Sequence, residues 1–455
     1  MIDNRKAPRI GFVSLGCPKN LVDSEVMLGT LTRQGYTITR NKEEADVLVV
    51  NTCGFIDTAK QESIDTILEM AELKTSGNCK KLVVAGCLAE RYRADIRREI
   101  PEIDFVFGPD ELGRILEAVR LDDANDVSEM SDVSIDALYT SKEIPTIPRV
   151  LTTPSYMAYL KISEGCDHVC TFCAIPGFRG RFRSRSVQDL VAEANRLAEG
   201  GVREIVLVSQ DTMAYGKDLG MPDGITALLR ELARVDGLKW VRFLYCYPNT
   251  VTESLVRLVA EEERLCTYFD IPYQHASRNV LERMKRGGSR DIYERQIENI
   301  RRWNPRAGLR TSFITGFPGE TEEDFNELLA FMKNASFDNV GVFLYSDEEG
   351  TGAFDLDNKV ARRTAVRRRN QVMKTQAGIS RRKLRGMIGR QVEVLLEGTS
   401  EESDFLLKAR METQAPDIDG HVLINDTGDR QVRSGEFLQV EITGSMDYDL
   451  IGKLV

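Results

Sequence analysis

The chain has 455 residues with a net charge of −10, and 42% of its residues are hydrophobic while 29% are charged. This length and composition predict about three folded domains and exclude a disordered chain and a mini-protein. No run approaches the ~18 consecutive apolar residues of a membrane span, and the N-terminus lacks the apolar stretch of a secretory signal, so the expected location is the cytoplasm, away from membranes.

The N-terminal part alternates short β-branched runs with helical patterns. Strands are predicted at residues 9–15, 45–51, 81–85 and 104–107, and helices at 24–34, 59–73 and 89–100. This alternation is typical of a parallel sheet with crossover helices, which we predict as an α/β domain over residues 8–121. Residues 122–155 are first acidic and then punctuated by proline, which indicates a linker.

A second βα series predicts a central domain over residues 156–388. Its strands are expected at residues 156–162, 204–209, 241–245, 268–271, 310–314 and 340–344. Six parallel strands are two short of the eight in a closed βα barrel, so the pattern favours an open, partial (βα)6 barrel. The basic segment 359–388 is predicted to be an amphipathic helix with its arginines outward and one apolar stripe, formed by Val366, Met373, Ala377, Leu384 and Ile388.

A change of charge marks the last domain, residues 389–455. Residues 359–389 hold eleven Lys and Arg and no acidic residue, whereas residues 389–455 hold fourteen acidic and six basic residues. A boundary near Gly389 follows from this switch. Beyond it, a small antiparallel β-barrel is predicted, with five short strands at residues 392–396, 405–409, 421–424, 437–442 and 450–455.

The nine cysteines all lie within the first 266 residues, and an odd number in a long intracellular chain argues against a disulfide framework. Three of them form the pattern Cys166-x₃-Cys170-x₂-Cys173, directly after the first strand of the central domain. Three thiolates on one loop can ligate three irons of a four-iron cluster and leave the fourth iron open to a substrate or cofactor. The alternatives are a zinc loop that uses His168 as its fourth ligand and three unrelated thiols.

Cys17, Cys53 and Cys87 lie 36 and 34 residues apart, and each ends a predicted strand. In an open parallel sheet, ligands collect beyond the carboxyl ends of the strands, so these thiols are predicted to converge on a second metal or cluster site. Three separate core thiols are the alternative. The remaining cysteines lack this regularity and are interpreted as ordinary thiols: Cys79, Cys246 and Cys266.

The cysteine loop, with the aromatic Phe172 before its last cysteine, resembles that of the radical S-adenosylmethionine enzymes. With the upstream cysteine trio and the small C-terminal barrel, the chain resembles the methylthiotransferase family over about residues 8–455. The segments 14–25, 51–56, 161–166 and 345–351 carry the same resemblance. Within this family, the sequences of these segments most resemble the branch that modifies an aspartate of ribosomal protein uS12. The tRNA-modifying relatives typically have Cys-Gln-Met-Asn where this chain has Cys17-Pro18-Lys19-Asn20.

This resemblance implies two 4Fe–4S clusters, with S-adenosylmethionine as the second cofactor. The cluster on the cysteine loop would bind and cleave S-adenosylmethionine, and the resulting 5′-deoxyadenosyl radical would abstract hydrogen from the aspartate β-carbon. The auxiliary cluster would carry the sulfur, methylated by another S-adenosylmethionine, to the substrate. An external low-potential reductant, such as flavodoxin or ferredoxin, is expected.

Contacts to the cofactor are expected at the carboxyl ends of the later strands, because barrel geometry gathers these ends around the cluster. The candidates are Gln210, Asp211, Gln274 and Arg310, together with Phe172 of the loop. The run from Arg179 to Arg185 has arginine at every second position and hence on one face if extended. This run is predicted either to hold an anionic group of substrate or cofactor, or to be a solvated basic loop.

The charge of the last domain separates the possible substrates. An RNA-binding barrel needs Lys and Arg to neutralise phosphates, so this acidic barrel is expected to repel RNA and to attract a basic partner. A basic ribosomal protein, uS12, in or near the small subunit is therefore the predicted substrate, and tRNA is the alternative. The basic segment 359–388 could still touch ribosomal RNA. Two non-enzymatic hypotheses remain, an electron-transfer protein and a ribosome-assembly factor with structural clusters.

Overall fold

A parallel five-stranded sheet forms the first part of the computed structural model, which describes residues 8–121 and 149–455. The strands, in the spatial order β2-β1-β3-β4-β5, are β1 (Arg9–Ser14), β2 (Thr37–Thr39), β3 (Val47–Thr52), β4 (Lys81–Gly86) and β5 (Phe105–Phe107). The four predicted strands are confirmed. The short edge strand β2 was not predicted, because three residues carry too little pattern to be distinguished from a turn.

Helices cover both faces of this sheet. They span Pro18–Arg33, Asp57–Ser76, Cys87–Arg91, Arg93–Glu99 and Ile115–Ala118, with 3₁₀ turns at Lys42–Glu44 and Pro109–Arg114. The first helix begins six residues earlier than predicted, because Pro18 occupies its first turn, where a missing N–H costs nothing. The predicted helix 89–100 is two helices, since Tyr92 has a non-helical φ of −129°.

Most of the predicted linker lies outside the described residues, which resume at residue 149. There Arg149 pairs with Glu25 of the first helix at 2.6 Å and with Glu193 of the central domain at 2.7 Å. The segment that enters the central domain is therefore attached to both domains.

The central domain contains the six predicted parallel strands in two three-stranded sheets. They are β6 (Met157–Lys161), β9 (Glu204–Val208) and β10 (Trp240–Phe243), then β11 (Tyr268–Asp270), β12 (Gly308–Thr315) and β13 (Asn339–Leu344). A parallel bridge between Val241 and Leu265 connects the two sheets into one open curve. The short antiparallel pair β7 (Ser163–Glu164) and β8 (Arg183–Ser184) closes off the cysteine loop.

The central domain also contains eight helices in the described residues, of which the first follows the cysteine loop and lines the cavity described below. They span Ile175–Arg179, Val187–Glu199, Gly224–Leu232, Glu253–Glu261, Arg278–Arg283, Arg290–Trp303, Glu322–Ala335 and Arg362–Arg385, with 3₁₀ turns at Thr212–Ala214 and Pro248–Thr250. None of the helices in the described residues is long and apolar enough to span a membrane.

The basic helix Arg362–Arg385 has a different buried face from the predicted stripe. The side chains that pack inward are Ala365, Arg368, Val372, Gln376, Ile379 and Ser380. The first three members of the predicted stripe each lie one position after a buried residue, while Ile388 is exposed. The expectation that all arginines point outward was wrong for Arg368. Its guanidinium is buried 3.3 Å from the Glu320 carboxylate, so an ion pair outweighed the apolar pattern.

The C-terminal strands form a closed barrel in the order β14-β15-β16-β18-β17. They are β14 (Gln391–Ser400), β15 (Ser403–Arg410), β16 (Val422–Asp426), β17 (Phe437–Ser445) and β18 (Leu450–Leu454). The barrel is confirmed, but the prediction that it is wholly antiparallel was wrong, because β16 and β18 run parallel. Five strands in a ring cannot alternate in direction at every seam, so closure requires at least one parallel pair.

Candidate active site

A cavity of about 430 Å³ lies where the three domains meet. Its wall includes Lys19 from the N-terminal domain, Tyr245 and Arg310 from the central barrel, and Ile418 from the C-terminal barrel. Both predicted cysteine groups also line it: Cys17, Cys53, Cys87, Cys166, Cys170 and Cys173. The two groups, distant in sequence, therefore face one common space.

The first trio of thiols sits at the carboxyl edge of the N-terminal sheet, as the strand ends predicted. Cys17 precedes the helix Pro18–Arg33, Cys53 follows β3, and Cys87 opens the helix after β4. Gly16 allows the close approach, since it has a φ of +89° and a Cβ there would lie 2.8 Å from the Cβ of Cys53. A side chain at this position would push the loops, and with them the thiols, apart.

Charge and burial act in opposite directions on these thiols. Burial by itself would raise the pKa of Cys17, but the positive charges of Lys19 and Arg179 outweigh it and lower that pKa below its usual value. For Cys87, burial prevails and raises the pKa to about 12, while Arg179 and the neighbouring thiols have smaller effects. The mutual influence of the three thiols follows from their proximity.

The second trio lies on the loop between β7 and the helix Ile175–Arg179. Gly165, with a φ of +78°, lets this loop pass against the opposite strand, since a Cβ there would lie 2.1 Å from the carbonyl oxygen of Arg181. On the other side, the N–H of Thr171 donates to the carbonyl of Met284 at 3.0 Å. Burial raises the pKa of Cys166 to about 11 and that of Cys173 to about 12.

The donor set fits iron–sulfur clusters better than a single ion. In the described residues, no three His, Cys, Asp or Glu side chains are spaced to hold one metal ion, whereas a four-iron cluster takes each cysteine sulfur on a different iron. His168, the fourth ligand of the zinc alternative, uses its Nε2 in a hydrogen bond with Asp211 at 2.7 Å. Its ring also stacks on Tyr247, with a centroid distance of 3.8 Å. Each set of three thiols thus suits a cluster with one open iron.

Buried Arg179 links the two thiol groups. Its Nε and Nη2 lie 3.2 and 3.1 Å from the Sγ of Cys87, and its Nη1 donates to Asp23 at 2.7 Å and to Glu164 at 3.0 Å. Lys161 donates to both of the same carboxylates. Since Glu164 precedes the cysteine loop by two residues, this network of charges ties the auxiliary thiols to the loop.

The predicted cofactor contacts divide into two groups. Phe172, Gln210, Gln274 and Arg310 line the cavity, and the buried Oε1 of Gln210 has no hydrogen-bond partner among the residues that the structure describes. Asp211, in contrast, lies outside this lining, where it holds His168 and accepts from the N–H of Met213 at 3.0 Å. The predicted cofactor contact of Asp211 stays a prediction. A carboxylate at a strand end can hydrogen-bond to a neighbouring ring, as Asp211 does, as well as face the cavity.

The arginine run also departs from the sequence expectation, because it does not lie extended along one face. Arg179 ends a helix, Arg183 pairs with Asp110 at 2.9 Å, and buried Arg185 pairs with Glu193 at 2.6 Å. Only Arg179 of this run lines the cavity. Most of the run therefore neutralises carboxylates of the protein, which a local charge pattern cannot reveal.

Sequence reasoning missed several side chains of the cavity wall, among them Lys19, Tyr245, Tyr247 and Arg286. Tyr245 and Tyr247 follow β10 directly, so the strand-end rule that found Gln210 applied to them as well. Arg286 lies 3.5 Å from the Sγ of Cys170 and donates to the carbonyl of Pro272 at 2.6 Å. Lys19 follows Cys17 by two residues. Its side chain lines the cavity because the first helix begins at Pro18, earlier than the sequence predicted.

The segment 345–351 holds the N-terminal domain against the barrel. The carboxylate of Glu348 is 1% exposed and accepts from Lys60 at 2.8 Å and from Arg91 at 2.7 Å. Arg91 also donates to the carbonyls of Gly54 and Glu349. Because Gly54 follows Cys53, this contact fixes the auxiliary thiols relative to the central domain.

Comparison with known proteins gives three family matches that follow one another along the chain. A model described as "Uncharacterized protein family UPF0004" matches residues 9–108. The "Radical SAM superfamily" model matches residues 160–332, and the "TRAM domain" model matches residues 388–455. The described architecture thus consists of a parallel-sheet domain, a radical SAM barrel and a TRAM barrel.

The solved structure of TsrM from Kitasatospora setae, described as a radical S-adenosylmethionine methyltransferase with cobalamin and a 4Fe–4S cluster bound, shares the fold. It aligns with a TM-score of 0.55 at 15% identity, covering 74% of this chain and 75% of that chain. The likeness concerns the fold alone.

Curated relatives named "Ribosomal protein uS12 methylthiotransferase RimO" cover nearly the whole chain. The protein of Solibacter usitatus is 53% identical, covering 98% of this chain and 95% of its own. That of Koribacter versatilis is 49% identical, covering 99% and 97%, and that of Trichlorobacter lovleyi is 47% identical over the full length of both chains. On this identity and coverage, the chain belongs to the RimO family of radical SAM methylthiotransferases.

Proposed function

We propose that this protein transfers a methylthio group to the β-carbon of an aspartate in ribosomal protein uS12. The observation that carries the proposal is the convergence of six cysteines on one cavity in a member of the RimO family. We also propose the domain bounds 8–121, 156–388 and 389–455, with the linker between the first two, since two family matches fall inside the first two domains and the third match, 388–455, begins one residue before the last.

The cofactors are two 4Fe–4S clusters and S-adenosylmethionine. When bound, the cluster on the loop supplies the electron that cleaves S-adenosylmethionine, and the auxiliary cluster supplies the sulfur. Cys166, Cys170 and Cys173 hold the first cluster, and the trio of Cys17, Cys53 and Cys87 holds the second. The protein contributes binding, orientation and exclusion of water, as is general for enzymes whose cofactors carry the reaction.

In this proposal, S-adenosylmethionine binds to the cavity wall around the cysteine loop. The unpartnered Oε1 of Gln210 offers an acceptor for an ammonium group. Arg310 and Gln274 line the same wall, and the ring of Phe172 provides an apolar surface beside the cluster loop. Asp211 contributes indirectly, because it orients the His168 ring through the 2.7 Å hydrogen bond.

The acidic C-terminal barrel suits a basic protein substrate better than RNA. We accordingly place the reaction on uS12, alone or in the small ribosomal subunit, in the cytoplasm. The reductant is an external low-potential protein such as flavodoxin or ferredoxin. Methylthiolation of tRNA is the second candidate, and the basic helix Arg362–Arg385 is the observation that favours it.

An anaerobic assay of the cluster-loaded protein with reductant, sulfide and S-adenosylmethionine tests the proposal. Small ribosomal subunits, free uS12 and isopentenyladenosine-containing tRNA are offered in parallel, and mass spectrometry reads the added methylthio group. An aspartate modified in uS12 is the expected result. A methylthio group found on the tRNA alone would show that the same reaction acts on tRNA, and it would refute the assignment of uS12 as the substrate.

Single cysteine variants separate the two clusters. Cys53→Ala is expected to keep reductive formation of 5′-deoxyadenosine and to lose methylthiolation, whereas Cys166→Ala is expected to lose both. Cys246→Ala is the matched control, because Cys246 is a buried thiol outside the cavity. Methylthiolation by Cys53→Ala at the wild-type rate would contradict the auxiliary site.

A further inference from the structure

Lys19 is a buried cation that has no carboxylate partner among the described residues. Its side chain lines the cavity with 8% of the residue exposed. The ammonium lies 3.6 Å from the centre of the Tyr245 ring, and among the described residues no carboxylate is within ion-pair distance of it. Burying an ammonium is costly unless an anion and hydrogen bonds compensate for the lost water. An anion from outside the folded chain would supply that compensation.

The other cations of the cavity wall are already engaged. Arg179 pairs with Asp23 and Glu164, and Arg310 lies 2.9 Å from Asp270. Arg286 donates to the carbonyl of Pro272 on the side of the cysteine loop. Lys19 is thus the cation of the wall that stands on the auxiliary side with no carboxylate partner in the described residues, where its hydrogen-bonding neighbour is the Tyr245 side chain.

The backbone around Lys19 is held rigidly, so the ammonium has a defined position. Pro18 starts the helix, and the side chain of Asn20 donates to the carbonyl of Leu15 at 2.7 Å. The side chain of Asn51 donates in turn to the carbonyl of Asn20 at 3.0 Å. A preorganised charge costs little to orient when its partner arrives.

We infer that Lys19 binds the side-chain carboxylate of the substrate aspartate and thereby determines which residue is modified. The inference rests on the proposed function. In aspartate the carboxylate carbon is bonded to the β-carbon, so an ion pair at the carboxylate holds the reacting carbon one bond away. Cys17 precedes Lys19 by two residues on the same wall, so the anchored β-carbon stays beside the auxiliary site.

A cycle of one enzyme change and one substrate change tests this contact. Cluster-loaded wild type and Lys19→Met bind uS12 and a uS12 variant whose target aspartate is asparagine, and the four dissociation constants are compared. Met keeps an unbranched chain of similar length without the charge. Loss of a hydrogen bond to a charged group predicts that the wild type prefers aspartate by about 10- to 100-fold, and that Lys19→Met abolishes the preference.

Two further variants complete the design. Lys19→Arg keeps the positive charge and is expected to retain part of the preference, and exposed Lys217→Met is the matched control with full preference. Iron content and the electronic spectrum of Lys19→Met report the alternative role of Lys19, which is charge compensation for the Cys17 thiolate. These readouts are expected to match the wild type.

The outcomes separate the inference from the function. If the wild type modifies uS12 but binds the aspartate and asparagine forms of uS12 with equal affinity, the inference is overturned. This result needs only wild-type measurements, so it stands even if Lys19→Met does not load its clusters. The inference is also overturned if Lys19→Met weakens the binding of both substrates equally. If the wild type modifies no aspartate of uS12, the proposed function fails, and the inference fails with it.

Discussion

Arg179 is the residue on which the two halves of the site depend most. A guanidinium has five donors in a planar fork, and here they are shared between two carboxylates, a thiol and the Asn20 amide. Burial alone would lower the pKa of Arg179, but Cys87, Glu164 and Asp23 raise it well above its usual value, so the charge is permanent. One side chain therefore contacts the auxiliary trio and fixes the position of the cysteine loop.

Arg179→Gln tests this dependence. The change leaves Asp23 and Glu164 buried with Lys161 as their one remaining cation in the described residues, and breaking such a pair is expected to cost about 3–5 kcal/mol of unfolding free energy. Anaerobic urea unfolding measures the loss, and iron analysis is expected to show incomplete loading of the auxiliary site.

Arg181→Gln is the matched control, since Arg181 is exposed two residues away in the same run. It is expected to stay within ±0.5 kcal/mol of the wild type. Equal stability of the two variants would show that the Arg179 network contributes nothing to the fold.

At this scale, local spacing predicted some residues and not others. The three cysteines of the loop are close in sequence, and the first trio could be found because each cysteine ends a strand. The arginine run was misjudged, because Arg183 and Arg185 pair with Asp110 and Glu193, which lie on other elements. A residue's charge is visible in a sequence, whereas the partner that neutralises it is set by tertiary packing.

Among the elements, the segment 345–351 has a role that its position at the end of β13 does not suggest. Glu348 places one carboxylate between Lys60 and Arg91, which come from two different helices of the N-terminal domain. These ion pairs are largely shielded from solvent, so they are screened less by salt than surface pairs. The segment thereby connects the auxiliary thiols to the barrel.

Glu348→Gln is predicted to loosen this connection locally. Lys60 and Arg91 lose a charged acceptor, at a cost of about 2 kcal/mol, which corresponds to amide exchange faster by about 10- to 100-fold. Hydrogen exchange read by mass spectrometry should show the change in peptides covering residues 53–60 and 345–351. Glu349→Gln is the control, because its side chain is exposed. Unchanged amide exchange in Glu348→Gln would show that Glu348 does not hold the N-terminal domain against the barrel.

The predicted elements themselves were largely correct, and their errors have physical causes. The alternation of β-branched runs and helices indicated the parallel strands of the N-terminal and central domains. The start of the first helix was missed because residues 18–23 carry little apolar pattern. The buried face of the helix Arg362–Arg385 was missed because Arg368 is buried in an ion pair with Glu320. The parallel seam between β16 and β18 is a property of ring closure, which no single strand encodes.

For the whole molecule, the C-terminal barrel completes the cavity by docking on the central domain. Buried Arg410 reaches across this interface to Glu204 of β9 at 2.7 Å, and Glu204 also pairs with Arg242 of β10 at 2.8 Å. The same barrel carries the acidic hairpin tip of Glu401, Glu402 and Asp404, all exposed. A domain fixed in this way presents its charge at a constant position relative to the cavity.

The charge of this barrel predicts how the enzyme meets its substrate. Attraction between exposed opposite charges is screened within about 10 Å at 0.1 M salt, so kcat/KM for basic uS12 should fall as salt rises. The triple variant Glu401→Gln, Glu402→Gln, Asp404→Asn should lower kcat/KM at low salt and flatten its salt dependence, with kcat unchanged. The control triple Glu261→Gln, Glu263→Gln, Glu298→Gln removes the same charge from exposed positions outside the barrel. An RNA substrate would give the opposite sign, since removing acidic residues would then raise kcat/KM.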